Sequence, residues 1–395
     1  MRGKPLVIAM CFGQVGGLLP HMVVPAVMSA HLIPLWGLTN AQAGLMAAAY
    51  GIGYMIAVPF LTALTDRYDG RLVLLLGSLF SALATWGFGL LADGLASACV
   101  LWCLAGVGFA GAYMPGLRAL IDRLDGLEAS RSVTLYTSSF SLGVGLSFLV
   151  SQLVADRLGW RASFLLTGLG PLVMAAVAWS MPPVRPPPPT THLLDFRPAF
   201  GNRVAMGYIL SYGAHCFELY GLRTWIVAFW TFVALRHGGN AVPSPMMVSF
   251  IVAVLAMPAS IFGNELALRF GRHRAITAIQ FASAAVALSI GALASASPWI
   301  LLPLVLIYAI TVPADSGSLT AGTSAAADPR FRGITLALHS TVGFGLAGAA
   351  GWVVGVALDH YGGTQQPEAW MAGFAVLAAG VLCGPLVLWW SRSRG

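Results

Sequence analysis

The chain has 395 residues, of which 58% are hydrophobic and only 9% charged, with a mean hydropathy of +0.80. A soluble domain carries about 25% charged residues, so composition excludes a soluble globular protein and indicates an integral membrane protein. The net charge of +7 does not imply nucleic acid, because the arginines are dispersed over short loops rather than gathered in a patch.

Apolar runs bounded by charges and turn residues predict twelve spans. In the first half they cover 5–30, 41–63, 72–92, 97–120, 132–155 and 162–181. In the second they cover 204–234, 244–267, 275–294, 299–322, 333–357 and 368–390. Arg2 and Lys4 before the first run also fit a signal peptide ending near Ala30. Its removal would leave an odd number of spans, so the run is read as the first span. Between the halves, PPVRPPPPTTHLLDFRPAF at 182–200 cannot continue a helix and reads as a stiff tether. The expected domains are therefore 1–181, a Pro-rich linker at 182–202, and 203–395. With both termini in the cytoplasm, Arg157, Arg161, Arg223 and Arg236 lie outside, leaving the other 17 of the 21 basic residues inside. That is a strong positive-inside bias and places the chain in the cytoplasmic membrane.

The loop between the second and third spans, LTALTDRYDGR at 61–71, clusters Asp66, Arg67, Gly70 and Arg71. A second copy, GNELALRFGRHR at 263–274, keeps Gly263, Arg269, Gly271 and Arg272, with Leu268 in place of the acid. The halves repeat elsewhere: Arg131, Thr134, Leu135 and Ser139 correspond to Arg332, Thr335, Leu336 and Ser340. Pro115 matches Pro313, and Asp156 matches Asp359. A degenerate repeat at half the chain length is the mark of a two-half transporter.

The first loop resembles the G-x-L-a-D-R-x-G-R signature of the major facilitator superfamily. Thr62 stands near the leading glycine's place, and Asp69 is an added residue before Gly70. The resemblance implies an all-α membrane fold of twelve transmembrane helices in two pseudo-symmetric six-helix bundles. It also implies a monomer that works by alternating access, with these loops as a cytoplasmic gate. Arg118, four residues before Asp122, reads as an ion pair of the same gate. Asp315-Ser316, Leu319-Thr320 and Leu338-His339-Ser340 resemble cyanate-permease-like members of the superfamily.

Ionisable residues inside spans are costly and mark function. The seventh span holds Tyr212, His215 and Glu218 at spacings of three, with Trp225 seven beyond Glu218, and these are expected on one helix face. Arg223 is placed near the outer rim, where it could snorkel or gate. Gln14 and His21, seven apart in the first span, are expected on one face as well. In the superfamily the first and seventh helices face each other, so the resemblance implies that His21 approaches Glu218. Two readings stand, a proton-carrying pair and a static pair holding the outer gate. Asp315 and His339 fall at similar depth and form a second candidate pair. Tyr50, Tyr54, Tyr113 and Tyr308 fit either substrate contact or packing. No arginine is predicted at mid-depth, which speaks against multiply charged anions.

Cys99 and Cys103 share a helix face without a His or acid at ligand spacing, so no metal or other cofactor is expected. The function that follows is secondary transport of a small organic solute, proton-coupled, by uptake or exchange. Ser141 to Gln152 lacks the Gly-Pro stretch of the superfamily's drug antiporters, which leaves efflux as the alternative. A membrane enzyme lacks a metal or nucleophile motif, and a sensor lacks a signalling domain.

Overall fold

A computed structural model describes residues 3–124, 126–185, 196–239, 243–328 and 331–392. Arg2, Arg330, Arg394 and residues 186–195 of the linker lie outside the described residues, as do the side chains of Arg131 and Thr134 in the repeat.

The first span is interrupted. α1 (Lys4–Gly17) ends in turns at 18–22, followed by α2 (Val23–Val27), a π-helical turn (Met28–Leu32) and α3 (Ile33–Trp36). Pro20 has no N–H to continue the helical ladder. The freed backbone groups are taken up by Ser147, whose Oγ accepts from Met22 N at 2.8 Å and donates to Leu19 O at 2.6 Å. This break corrects the expectation that Gln14 and His21 share a helix face, because no continuous helix connects them.

The chain continues through α4 (Asn40–Leu64), α5 (Gly70–Leu91), α6 (Leu95–Ile121), α7 (Gly126–Leu158), α8 (Trp160–Thr167) and α9 (Gly170–Ser180). After α10 (Arg197–Gly201) come α11 (Arg203–Arg236), α12 (Pro245–Phe270), α13 (Arg272–Ala292) and α14 (Pro298–Thr311). A 3-10 turn (Val312–Asp315) leads into α15 (Ser316–Ala326), and α16 (Arg332–His360) and α17 (Pro367–Ser391) complete the chain. Among the described residues, ten segments are long and apolar enough to cross a membrane, with α8–α9 and α14–α15 each forming one of them. The broken first span and the polar, 34-residue α11 complete the twelve-span membrane architecture.

The chain divides into two compact units, Met1–Val27 with Ala49–Leu194, and Met28–Ala48 with Asp195–Gly395. In the first, α1 packs on α7 and α9, and α5 packs on α6. Helices approach closely through small residues, as membrane bundles do: a Cβ on Gly53 would strike the Cys103 carbonyl, and one on Gly77 would strike the Gly111 backbone. In the second unit α11 packs on α16 and α17, and α13 on α17. The segment Met28–Ala48 is fastened there by Asp359, whose carboxylate caps α4. It accepts from Asn40 N at 2.9 Å, Asn40 Nδ2 at 2.8 Å and Ala41 N at 2.7 Å. Carboxylates stabilise helix N-termini in this way.

Candidate functional site

The loop after α4 is organised by a residue the sequence reading treated as an insertion. Asp69 accepts from Arg71 N at 3.0 Å and so caps α5. It also takes Arg123 Nη2 on both oxygens at 2.8 Å and the N–H of Val184 at 2.8 Å. Arg123 further donates to Pro182 O and Ala119 O, and Arg71 to Met181 O. Burial alone would raise the Asp69 carboxyl; the Arg123 hydrogen bond and charge and the two N–H donors outweigh it and hold the group below its ordinary value. Asp66 and Arg67 are exposed. Arg118 pairs with Asp122 at 2.8 Å and with Asp66 at 3.7 Å, and Gly70 packs its Cα on α6. In the second loop, Gly263 abuts the Ala314 backbone, Arg269 meets Glu265 at 3.3 Å on the surface, and Gly271 (φ 89°) makes the turn before Arg272.

The candidates of the first unit are set among aromatic rings. His21 is buried, with ring centres of Phe109, Tyr50 and Phe140 at 5.0, 5.1 and 5.5 Å. Tyr50 leans on Trp102 at 4.9 Å, Tyr54 on Phe109 at 5.6 Å, and Tyr113 stacks on Phe109 at 5.7 Å. Gln14 is buried on α1, its amide nitrogen without an acceptor among the described residues.

The second unit is different. His215, Glu218 and Asp315 are each only 1% exposed, and all three belong to one polar seam. Asp315 Oδ1 lies 2.6 Å from His215 Nδ1, and its Oδ2 accepts from Gln280 Nε2 at 2.7 Å. Gln280 Nε2 also donates to Ser211 Oγ at 3.1 Å. One turn along α11, Glu218 Oε1 accepts from Ser283 Oγ at 2.8 Å and Tyr308 OH at 3.0 Å. Both partners belong to its own unit; His21, expected from the sequence, has its own neighbours in the first.

The Asp315–His339 pair does not form. His339 instead bonds Thr323 Oγ1 at 3.1 Å and Thr320 Oγ1 at 3.3 Å, and stacks on Tyr212 at 3.7 Å. The cause is helical geometry: each step of three along α11 turns the side chain by about −60°. Tyr212 therefore reaches α16, His215 the start of α15, and Glu218 α13 and α14. Trp225 donates to Gly351 O at 2.9 Å. Arg223 also departs from expectation. It is 4% exposed and its guanidinium lies 5.3 Å from the Tyr220 ring centre. Because α11 runs Arg203–Arg236, Arg223 stands about 5 Å past the helix centre by the 1.5 Å rise, not at its rim.

A sequence profile of the Major Facilitator Superfamily matches residues 7–351. The chain belongs to that superfamily. Over 98% of its length it superposes on a bacterial homologue of the human lysosomal transporter Spinster, covering 96% of that chain, with a TM-score of 0.75 and 16% identity. A gallate transporter of Pseudomonas putida is 28% identical over 169 residues, 41% of this chain and 36% of the relative. A 4-hydroxybenzoate transporter of Pseudomonas aeruginosa is 34% identical over 154 residues, 36% of this chain and 32% of the relative. The chain thus aligns with about a third of the length of these curated relatives. It is a multi-pass membrane protein of a transporter superfamily.

Ser211, Gln280, Ser283 and Thr323 were missed from the sequence, and Thr320 entered only through a family resemblance, because the hydroxyl and amide residues of these spans were not weighed as partners. Gln280, alone in the apolar run AIQFASAAVALS, carried a readable signal: a buried amide needs partners.

Proposed function

We propose that the chain is a monomeric, proton-coupled secondary transporter that carries a small organic anion across the cytoplasmic membrane. Its termini are cytoplasmic, as the arginine distribution requires. The halves 1–181 and 203–395, joined by the linker 182–202, alternate access to a central site. The gate is formed by the loops around Asp66–Arg71 and Arg118–Asp122, with the repeat around Gly263 and Arg269–Arg272.

The observation that carries the reading is the buried seam Asp315–His215–Gln280–Ser211 with Glu218–Ser283–Tyr308. Carboxyl groups are expensive among apolar membrane helices and persist where they work. Hydroxyls surround Glu218, and a hydroxyl can donate to a carboxylate or accept from a carboxylic acid. Glu218 is thus equipped to hold its proton in one state and release it in the other, while Asp315 and His215 share a second ionisable site one turn away. The aromatic-acid relatives support an organic anion as the solute. Its downhill partner is the proton, and the direction is uptake or exchange.

Uptake of radiolabelled 4-hydroxybenzoate and gallate into proteoliposomes, with and without an inwardly acidic-outside gradient, tests this. Accumulation that requires the gradient is expected. Transport of neither acid would contradict the organic-anion reading, and gradient-independent uptake would contradict coupling.

A further inference from the structure

The arginines of this chain that leave water mostly find acceptors. Arg123, whose side chain is 1% exposed, has both oxygens of Asp69 and two main-chain carbonyls. Arg71, half-buried, donates to the carbonyl of Met181 and lies 3.7 Å from Asp69. Arg223 is the exception. It is buried near the centre of α11, yet among the described residues no carboxylate pairs with it. Its neighbour is Tyr220, whose ring centre lies 5.3 Å from the guanidinium carbon. A guanidinium carries five N–H donors and stays charged, and a buried charge persists only when compensated.

We propose that Arg223 docks the carboxylate of the transported solute and that the solute carries a single negative charge. This rests on the organic-anion reading above. A guanidinium and a carboxylate match as a two-pronged hydrogen-bonded pair, and Tyr220 orients the cation through its ring. By the 100° helical step, Tyr212 and Cys216 fall on the same side of α11 as Arg223. Tyr212 and His339 form a stacked wall at 3.7 Å, suited to the flat body of an aromatic acid. Among the described residues of the second unit, two histidines are already engaged: His215 by Asp315, and both ring nitrogens of His339 by threonines. Glu218 and Asp315 would oppose a second negative group.

The test is equilibrium binding to purified full-length protein of 4-hydroxybenzoate, its uncharged methyl ester, benzene-1,2-dicarboxylate and inorganic phosphate. Wild type is expected to bind the monocarboxylate at least about tenfold more tightly than the other three, the factor a charge-assisted pair supplies. Arg223→Gln should remove the preference for acid over ester, and Arg223→Lys should retain part of it. Unchanged acid–ester discrimination in Arg223→Gln overturns the proposal while leaving the organic-anion reading intact. Tighter binding of phosphate or the dicarboxylate overturns the single-charge assignment. Failure of the wild type to bind any acid overturns the underlying reading instead. If Arg223→Gln is not recovered folded, Arg223→Lys decides: discrimination equal to wild type overturns the proposal, and weakened discrimination supports it.

Discussion

Two buried histidines show how differently the two units are built. His21 sits in a nest of Tyr50, Phe109 and Phe140 rings, whereas His215 lies 2.6 Å from an aspartate that is itself tied to a glutamine. The repeat gave both units the same helical plan. The seam of buried ionisable side chains lies in the second of them, where α11 offers a fresh neighbour at each step of three residues. An aromatic nest tolerates exchange of one ring for another; a buried polar contact does not tolerate the loss of one partner.

The sharpest way to break this contrast is at Asp315. Asp315→Ala strands His215 and Gln280 in the seam and should cost about 2–6 kcal/mol, the penalty of about 1–3 kcal/mol for each buried polar group left unsatisfied. Denaturant unfolding in detergent checks it, and a loss below about 1 kcal/mol, the range of an exposed pair, would mean that the seam is hydrated.

Asp69→Asn removes the charge-assisted bonds to Arg123 and should cost about 1.5–3 kcal/mol near neutrality. The sign with pH follows from the depressed carboxyl. The unfolded chain binds the proton more readily, so the stabilisation is full above the unfolded value of about 3.9 and is lost as pH falls through the lower folded value. Melting curves of wild type and Asp69→Asn should therefore converge in acid; a constant gap across pH would contradict this.

Asp359→Ala, which uncaps α4, should cost about 1–2 kcal/mol. It should also speed hydrogen exchange in residues 40–44, and exchange at the wild-type rate would show that the cap does not hold the segment. The smallest effect on transport is expected at His21→Phe, with the pH profile of transport unchanged. A flattened profile would move proton handling into the first unit.

Much of the fold was legible because a membrane span must be long and apolar, and the loop glycines and arginines recur. The break in the first span was not, since Pro20 in an apolar run does not say whether Ser147, 127 residues on, stands ready to receive the freed backbone. The buried acids and histidines were identified one by one, but their pairing was not. Depth along a helix cannot replace azimuth, which sends Asp315 to His215 and His339 to Thr323. Asp69 was hidden by its reading as an insertion, although its place immediately before the first turn of α5 is where a capping carboxylate belongs. Arg223 was set too near the surface although the predicted span, 204–234, nearly coincides with α11 and already puts it about 6 Å past the centre by the helical rise.

The central claim is that Glu218 exchanges a proton during transport. It is tested most directly by recording internal pH in dye-loaded proteoliposomes as 4-hydroxybenzoate is added outside. Wild type should acidify the interior on addition of substrate, and Glu218→Gln should still bind substrate yet produce no acidification. Equal acidification in wild type and Glu218→Gln would contradict the claim.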